Sequence, residues 1–298
     1  MTGQSAGQVS PSSSVETSAC GGAVQGAAVQ PAAPPRPNAL VAFLKRRKLV
    51  LMTLVIILVA WELAPRLLAI PDYLLPPPSQ VFTAFLGQWQ RTLAATWITT
   101  SVMLGGFFIA IVVSIPLALA IVSSRVVEDT VEPIMLVFQV IPKIAIAPLF
   151  IVWFGFGYTP KTMLVFLLAF FPITLSAVAG FRSVDPDIMD LARSTGASTW
   201  TMFRKIKLPQ ALPQIFTGLK VGVALASTGA VVAEFIASDR GLGYLLLEWR
   251  GELDTPMVFA GVFVISLVGI VVYYIVEAIE RFTIPWHVSQ RDPVPMNA

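Results

Sequence analysis

The sequence predicts an all-α, polytopic membrane protein of about six transmembrane helices, and three observations carry that prediction. Mean hydropathy is +0.77. Of the 298 residues, 56% are hydrophobic and only 12% are charged, against roughly 25% charged in soluble domains. The apolar residues also fall into runs close to the ~20 that a helix needs to cross hydrocarbon. Finally, the 20 Lys and Arg residues cluster beside those runs rather than along one basic face. The net charge of +3 therefore reads as a topology signal, not as affinity for nucleic acid.

Residues 1–38 are dominated by Ser, Gly, Ala, Gln and Pro. Such a segment buries too little apolar surface to offset its ordering entropy, so a disordered low-complexity tail is expected. It lacks the basic start and apolar centre of a cleavable signal. Cys20, the single cysteine, has no partner for an internal disulfide and reads as an inert tail thiol. A transmembrane domain is expected over residues 39–285. Its spans are placed at Leu49–Leu68, Ile98–Val122, Pro133–Phe154, Thr162–Phe181, Phe216–Ala237 and Met257–Val276. Residues 286–298 form a C-terminal tail, where His287 stands without a second metal-ligating side chain and implies no metal.

Six spans put both termini on one side. Lys and Arg concentrate in cytoplasmic loops, and 14 of the 20, Arg125 and Lys220 among them, fall on the side of the termini and the loop between spans four and five. Five, Arg66, Arg91, Lys161, Arg240 and Arg250, fall on the other side, and Lys143 lies within a span. Cytoplasmic termini follow.

The loop over residues 182–209 carries helix punctuation. Asp185 can cap a helix that opens on Pro186, where a missing amide hydrogen costs nothing, and Gly196 suits the left-handed turn that ends it. Ser198 can cap a second helix, expected to stop before Pro209 because proline disfavours helical geometry in its predecessor. Ile188, Leu191 and Ala192 share one helical face, and Trp200 and Phe203 share another. Such an element can bury one side and present the other.

This loop resembles the EAA loop of permease subunits in binding-protein-dependent ATP-binding-cassette importers. The matching residues are Ala192, Gly196, Ile206, Leu208 and Pro209, with Asp190 and Leu191 standing where the family has Glu and Ala. LLPPPSQV near Leu74, IPKIAIAPLFIVWFGFG near Ile141, LPQALPQIFTGLK near Leu208 and GLGYLL near Gly241 extend the likeness over about residues 40 to 285. They are similar to the subgroup that imports nitrate, sulfonates, taurine, bicarbonate or pyrimidine precursors. The resemblance implies a type I ABC-importer permease-like bundle in the bacterial inner membrane, acting as a homodimer or pseudodimer. It also implies an ATPase dimer that receives the loop and binds ATP–Mg, and a periplasmic or extracellular solute-binding protein that delivers a small solute. The chain has no phosphate-binding loop of its own: GFGYTPKT comes nearest and lacks the Gly-Lys pair. It is therefore not expected to be an enzyme or to hold a cofactor.

Gly218, Gly222, Ala226 and Ala230 recur every four residues in the fifth span, a stripe of small side chains that lets another helix approach closely. Gly261 in the sixth belongs to no such stripe. Glu234 continues the stripe and must face protein or water rather than lipid; a pathway residue and a structural hydrogen bond at the outer end both fit it. Lys143 lies between Pro142 and Pro148, which predict a broken helix lining a cavity or buried in protein. It can attract an anion in the pathway or snorkel toward the cytoplasmic face. Glu62 and Arg66 are spaced to neutralise each other. Outside the membrane, Phe82, Phe85, Leu86 and Trp89 predict one apolar face of an interfacial helix, and Gly243–Arg250 a second short helix. An ion-driven secondary transporter is the alternative from another class. A membrane-embedded enzyme finds no supporting constellation of paired carboxylates, metal ligands or Ser and His.

Overall fold

The computed structural model describes residues 39–285. The expected tails, residues 1–38 with Cys20 and residues 286–298 with His287, lie outside the described residues. The chain divides into two compact units, residues 1–53 and 54–298. The first contributes only the opening residues of helix α1 (Ala39–Leu67) to the description, and all that follows concerns the second.

Every regular element among the described residues is helical. After α1 come α2 (Pro78–Gly87), α3 (Trp89–Ser123) and α4 (Arg125–Val140). A 3-10 turn at Lys143–Ile146 leads into α5 (Ala147–Phe154), followed by α6 (Tyr158–Arg182) and α7 (Pro186–Ser194). The chain ends through α8 (Thr199–Met202), α9 (Leu208–Ala237), α10 (Leu242–Gly251) and α11 (Thr255–Thr283). Four stretches among the described residues are long and apolar enough to cross a membrane: Trp89–Ser123, Tyr158–Arg182, Thr199–Ile236 and Thr255–Thr283. The α4–α5 pair is a fifth if counted as one span, with its halves bent by 86° at Ile141 and Pro142. The broken helix expected from Pro142 and Pro148 is thus present, although α4 begins at Arg125, before the expected Pro133. The expected first span falls on α1; by length and apolarity four or five stretches among the described residues can cross a membrane, beside the six expected.

Helices α3, α6 and α9 make the core, and small residues set their spacing. A β-carbon on Gly106 of α3 would lie 2.8 Å from the Thr162 carbonyl oxygen of α6, and one on Gly180 of α6 would lie 2.8 Å from the Ala211 carbonyl oxygen of α9. The α9 stripe meets α6 as its spacing requires. A β-carbon on Gly218 would lie 2.5 Å from the Ser176 Cβ, and one on Gly222 would lie 2.9 Å from Ile173, while Ala226 and Ala230 are fully buried. In hydrocarbon, where expulsion of water does not drive helices together, such contact is what holds a bundle. Gly261, outside any such stripe, is in close contact too, its absent β-carbon falling 2.6 Å from Leu246 of α10. A tight crossing of two helices needs only one small residue, so the lack of a stripe concealed it.

Two helix boundaries also differ from expectation. Trp89 does not continue the face of Phe82, Phe85 and Leu86, because the helix ends at Gly87 and Trp89 opens α3. Gln88 leaves helical geometry at φ −126° and accepts from the Trp249 indole at 3.3 Å. Phe82 and Leu86 are exposed while Val81 is buried, so α2 does present an apolar outer face. Nor does the second loop helix stop before Pro209. Leu208 is helical at φ −65°, ψ −49°, and a π turn at Phe203–Lys207 carries α8 into α9. The wider turn accommodates a proline that brings no N–H and would crowd the carbonyl four residues back.

Gly180→Ala should therefore lower the unfolding free energy by about 1–3 kcal/mol, the usual cost of overpacking. Gly87→Ala, with nothing within 4 Å of the new methyl, should change it by less than about 0.5 kcal/mol. Thermal unfolding of both variants in the same detergent checks this, and equal midpoints would contradict the close α6–α9 contact.

Candidate functional site: the Asp185–Pro209 hairpin, the α9 stripe and the Lys143 break

The hairpin is built by its own caps. The Asp185 carboxylate accepts from the Asp187 amide at 2.9 Å with Pro186 at the first helical position, and Ser198 accepts from the Thr201 amide at 3.3 Å. Between them Gly196 sits at φ +75°, which L-residues rarely adopt. The Gly196 amide donates to the Arg193 carbonyl at 3.0 Å and the Ala197 amide to the Ala192 carbonyl at 3.1 Å, the paired bonds of a Schellman turn. Val184, Met189 and Met202 are buried together with Ala192, Ala197 and Ile206 packed on them, giving the hairpin a small core of its own.

That core determines which side is offered. Ile188 is 44% exposed, Leu191 67% and Trp200 68%. Ile188 and Leu191 therefore point away from the core while Ala192 points toward it, dividing the apolar face expected of all three. The buried partner on α7 is Met189, three residues before Ala192, a signal present in the sequence but outweighed by the larger Ile and Leu. Asp190 pairs with Arg193 at 2.9 Å on the surface. Leu208 and Pro209 lie at the start of α9, where the hairpin becomes the bundle.

Glu234 lies at the opposite end of α9. It is fully buried, and its carboxylate accepts from the Thr99 hydroxyl at 2.8 Å and from the Gly243 amide at 2.7 Å. Thr99 Oγ1 in turn accepts from the Leu242 amide at 2.8 Å. The first amides of α10 are thus capped from α3 and α9, where a carboxylate also suits the positive end of the helix dipole. The glycines of GLGYLL follow from this: Gly241 has φ +110° and Gly243 lies so close to Glu234 that a β-carbon would meet its Cβ at 2.8 Å. Beside the node Lys161 is 4% exposed and donates to Ser238 Oγ at 2.8 Å. Its burial says nothing against its place among the five cations of the side opposite the termini. Thr99 and Lys161 were not singled out from the sequence; a hydroxyl and an ammonium within apolar helices are the signal that each must have a partner.

Lys143 stands at the α4–α5 break. Its Nζ donates to the Gln139 carbonyl at 3.0 Å and lies 4.8 Å over the Phe171 ring. Lys143 and Glu234 therefore have separate partners, and the structure does not bring them together. Gly218 and Gly222 lie against α6, as described above. Elsewhere Glu62 pairs with Arg66 as expected and also accepts from the Ser79 amide at 3.0 Å, capping α2. Arg91 of α3 grips both oxygens of Glu248 on α10, at 2.7 and 2.8 Å.

Apolar helices packed through small residues, a bent helix pair carrying a lysine, and a polar hairpin with a stable turn define a polytopic helical membrane protein. The comparisons with known proteins identify its family. Residues 110–284 match the model of the binding-protein-dependent transport system inner membrane component, and the chain belongs to that family. It is similar to the riboflavin transport system permease protein RibX of Chloroflexus aurantiacus, with 35% identity over 80% of this chain and 90% of that protein. The formylaminopyrimidine transport permease protein ThiX of Halalkalibacterium halodurans is 34% identical over 78% of this chain and 94% of its own length. The taurine transport system permease protein TauC of Escherichia coli is 34% identical over 79% and 88%. An inward-facing structure of the MetNI methionine ABC transporter shares the fold, at TM-score 0.57 and 19% identity over 66% of this chain and 98% of the solved one. The chain is a permease subunit of a binding-protein-dependent importer, and the ion-driven alternative finds no support.

Replacing Thr99 tests the node. Thr99→Val keeps the shape but strands the Leu242 amide and one side of the Glu234 carboxylate, at about 1–3 kcal/mol for each unsatisfied group. Thr99→Ser keeps the hydroxyl. We expect a lower unfolding midpoint and faster proteolysis at the Ser238–Gly241 connection in Thr99→Val alone; equal behaviour of the two would show that the hydroxyl does not hold α10.

Proposed function

We propose that this chain forms half of the translocation pathway of an ATP-driven importer in the bacterial inner membrane, as a homodimer. Its termini and the Asp185–Pro209 hairpin are cytoplasmic, where 14 of the 20 Lys and Arg residues gather. The observation that carries the reading is the hairpin itself: a Schellman turn and two caps hold Ile188, Leu191 and Trp200 outward from a private core. An exposed apolar cluster on a rigid, otherwise polar element is a docking surface, and its occupant in this reading is a separate ATPase dimer that binds ATP–Mg. Asp190, Leu191, Ala192, Gly196, Ile206, Leu208 and Pro209 make the coupling loop.

The solute is small and is delivered by a periplasmic or extracellular binding protein. Relatives named for riboflavin, formylaminopyrimidine and taurine support a sulfonate-bearing or pyrimidine-like compound. Lys143 is its candidate contact at the helix break, with Gly218, Gly222 and Glu234 shaping α9 beside the pathway. Uptake of radiolabelled riboflavin, formylaminopyrimidine and taurine into proteoliposomes holding the complete transporter tests this. ATP-dependent uptake of one of them supports the reading, and uptake that follows an ion gradient without ATP overturns it.

Gly196→Val should insert normally yet recover less than a tenth of the ATPase in co-purification, because a β-branched residue resists φ +75°. Single cysteines at positions 193 and 250 in a Cys20→Ser background check orientation. Strong labelling of intact cells by an impermeant reagent at 193 and none at 250 would reverse the topology.

A further inference from the structure

The end of α6 that leads into the hairpin is held in two directions at once. Inward, the Phe181 ring lies 6.2 Å from the Phe203 ring, which lies 5.7 Å from the ring of Trp200 on the exposed face of the hairpin. Phe181 is buried in the core, so an unbroken line of aromatic contacts runs from the docking surface into the bundle. Outward, the next residue, Arg182, reaches α4. Its Nη2 donates to Glu128 at 2.6 Å and to Glu132 at 2.7 Å, while Nη1 reaches Glu132 at 3.2 Å. Glu128 and Glu132 are one helical turn apart, so the planar guanidinium spans two carboxylates of one face. At its far end α4 reaches the 86° break and Lys143.

Adjacent residues thus connect the hairpin to the core and the core to the bent helix pair. We propose that Arg182 is a positioning residue that transmits displacement of the hairpin to α4, and so to the break beside Lys143. The inference rests on the hairpin docking an ATPase, as proposed above. The fork itself is a property of this chain: lysine, a single point charge, cannot engage both carboxylates in one plane. Two neighbouring features lead elsewhere: the π turn runs into α9, and the buried Val184 belongs to the hairpin's own core.

The test uses the assembled transporter in proteoliposomes, with Cys20→Ser and one spin label at Val140→Cys, an exposed position at the end of α4. ATP-dependent change in the label spectrum is followed in the parent and in Arg182→Gln, Glu132→Gln and the double variant. ATPase co-purification is measured on each. In the parent, an ATPase that fails to bind sinks the docking reading itself. With docking intact in all, each single variant should reduce the ATP-dependent spectral change at least fivefold, and the double variant should be within about twofold of the worse single, because both remove the same link. Arg182→Lys should restore less than half of the change. A full ATP response in Arg182→Gln, or losses that multiply in the double variant, would overturn the role of the fork while leaving the docking reading in place.

Discussion

The close approach of α9 to α6 is the constraint on which the other features depend. With no water to expel between helices in hydrocarbon, a bundle gains stability from dispersion contacts, which fall away steeply once backbones separate. Gly180 and Gly218 put helix backbones in contact from opposite sides of the interface. Once α9 is fixed at that distance, Glu234 is carried into full burial at one end, and the hairpin is held against Phe181 at the other. A carboxylate so placed needs several donors. α10, entering at that point with unpaired amides, needs an acceptor. The two requirements answer one another through Thr99, which accepts from one helix start and donates to the carboxylate.

What the sequence made legible follows the same physics. Periodicity along one helix is written in that helix alone, so the α9 stripe, the hairpin caps and the proline break could be read directly. Contacts between helices are not written so. Gly261 looks isolated on α11 because the partner that requires it, Leu246, sits on a different helix. The partner of Lys161 is also invisible until α6 and the end of α9 are side by side, where Ser238 accepts from its ammonium. Lys220, counted with the cytoplasmic cations, likewise pairs with Glu280 of α11.

The hairpin shows a subtler limit. Its apolar residues were identified, but which of them face inward depended on where α6 delivers the chain. Three residues, Ser183 to Asp185, join α6 to α7, and Val184 among them is buried. That short link fixes the rotation of α7 so that Met189 and Ala192 close on Met202. Ile188 and Leu191 are left facing out. Hydrophobicity alone would have buried the larger pair, so their exposure is informative: it places an apolar surface where an isolated subunit gains nothing from it.

The junction at Pro209 bears on how rigidly that surface is tied to the bundle. A proline after a short helix ordinarily marks a break, and a break would let the hairpin swing freely. Here the Leu208 amide donates to the Phe203 carbonyl five residues back, so the ladder is shifted by one residue instead of interrupted. The helical path runs from Thr199 to Ile236. Because the same helix carries the stripe packed on α6, the hairpin cannot tilt without moving α9 or deforming the π turn. A π turn is a rare, single-turn departure from the α-helical ladder. A displacement imposed at Trp200 would meet both the π turn at Phe203–Lys207 and, through α9, the core. The ring of Phe203, set within the π turn and against Phe181, lies where the two meet.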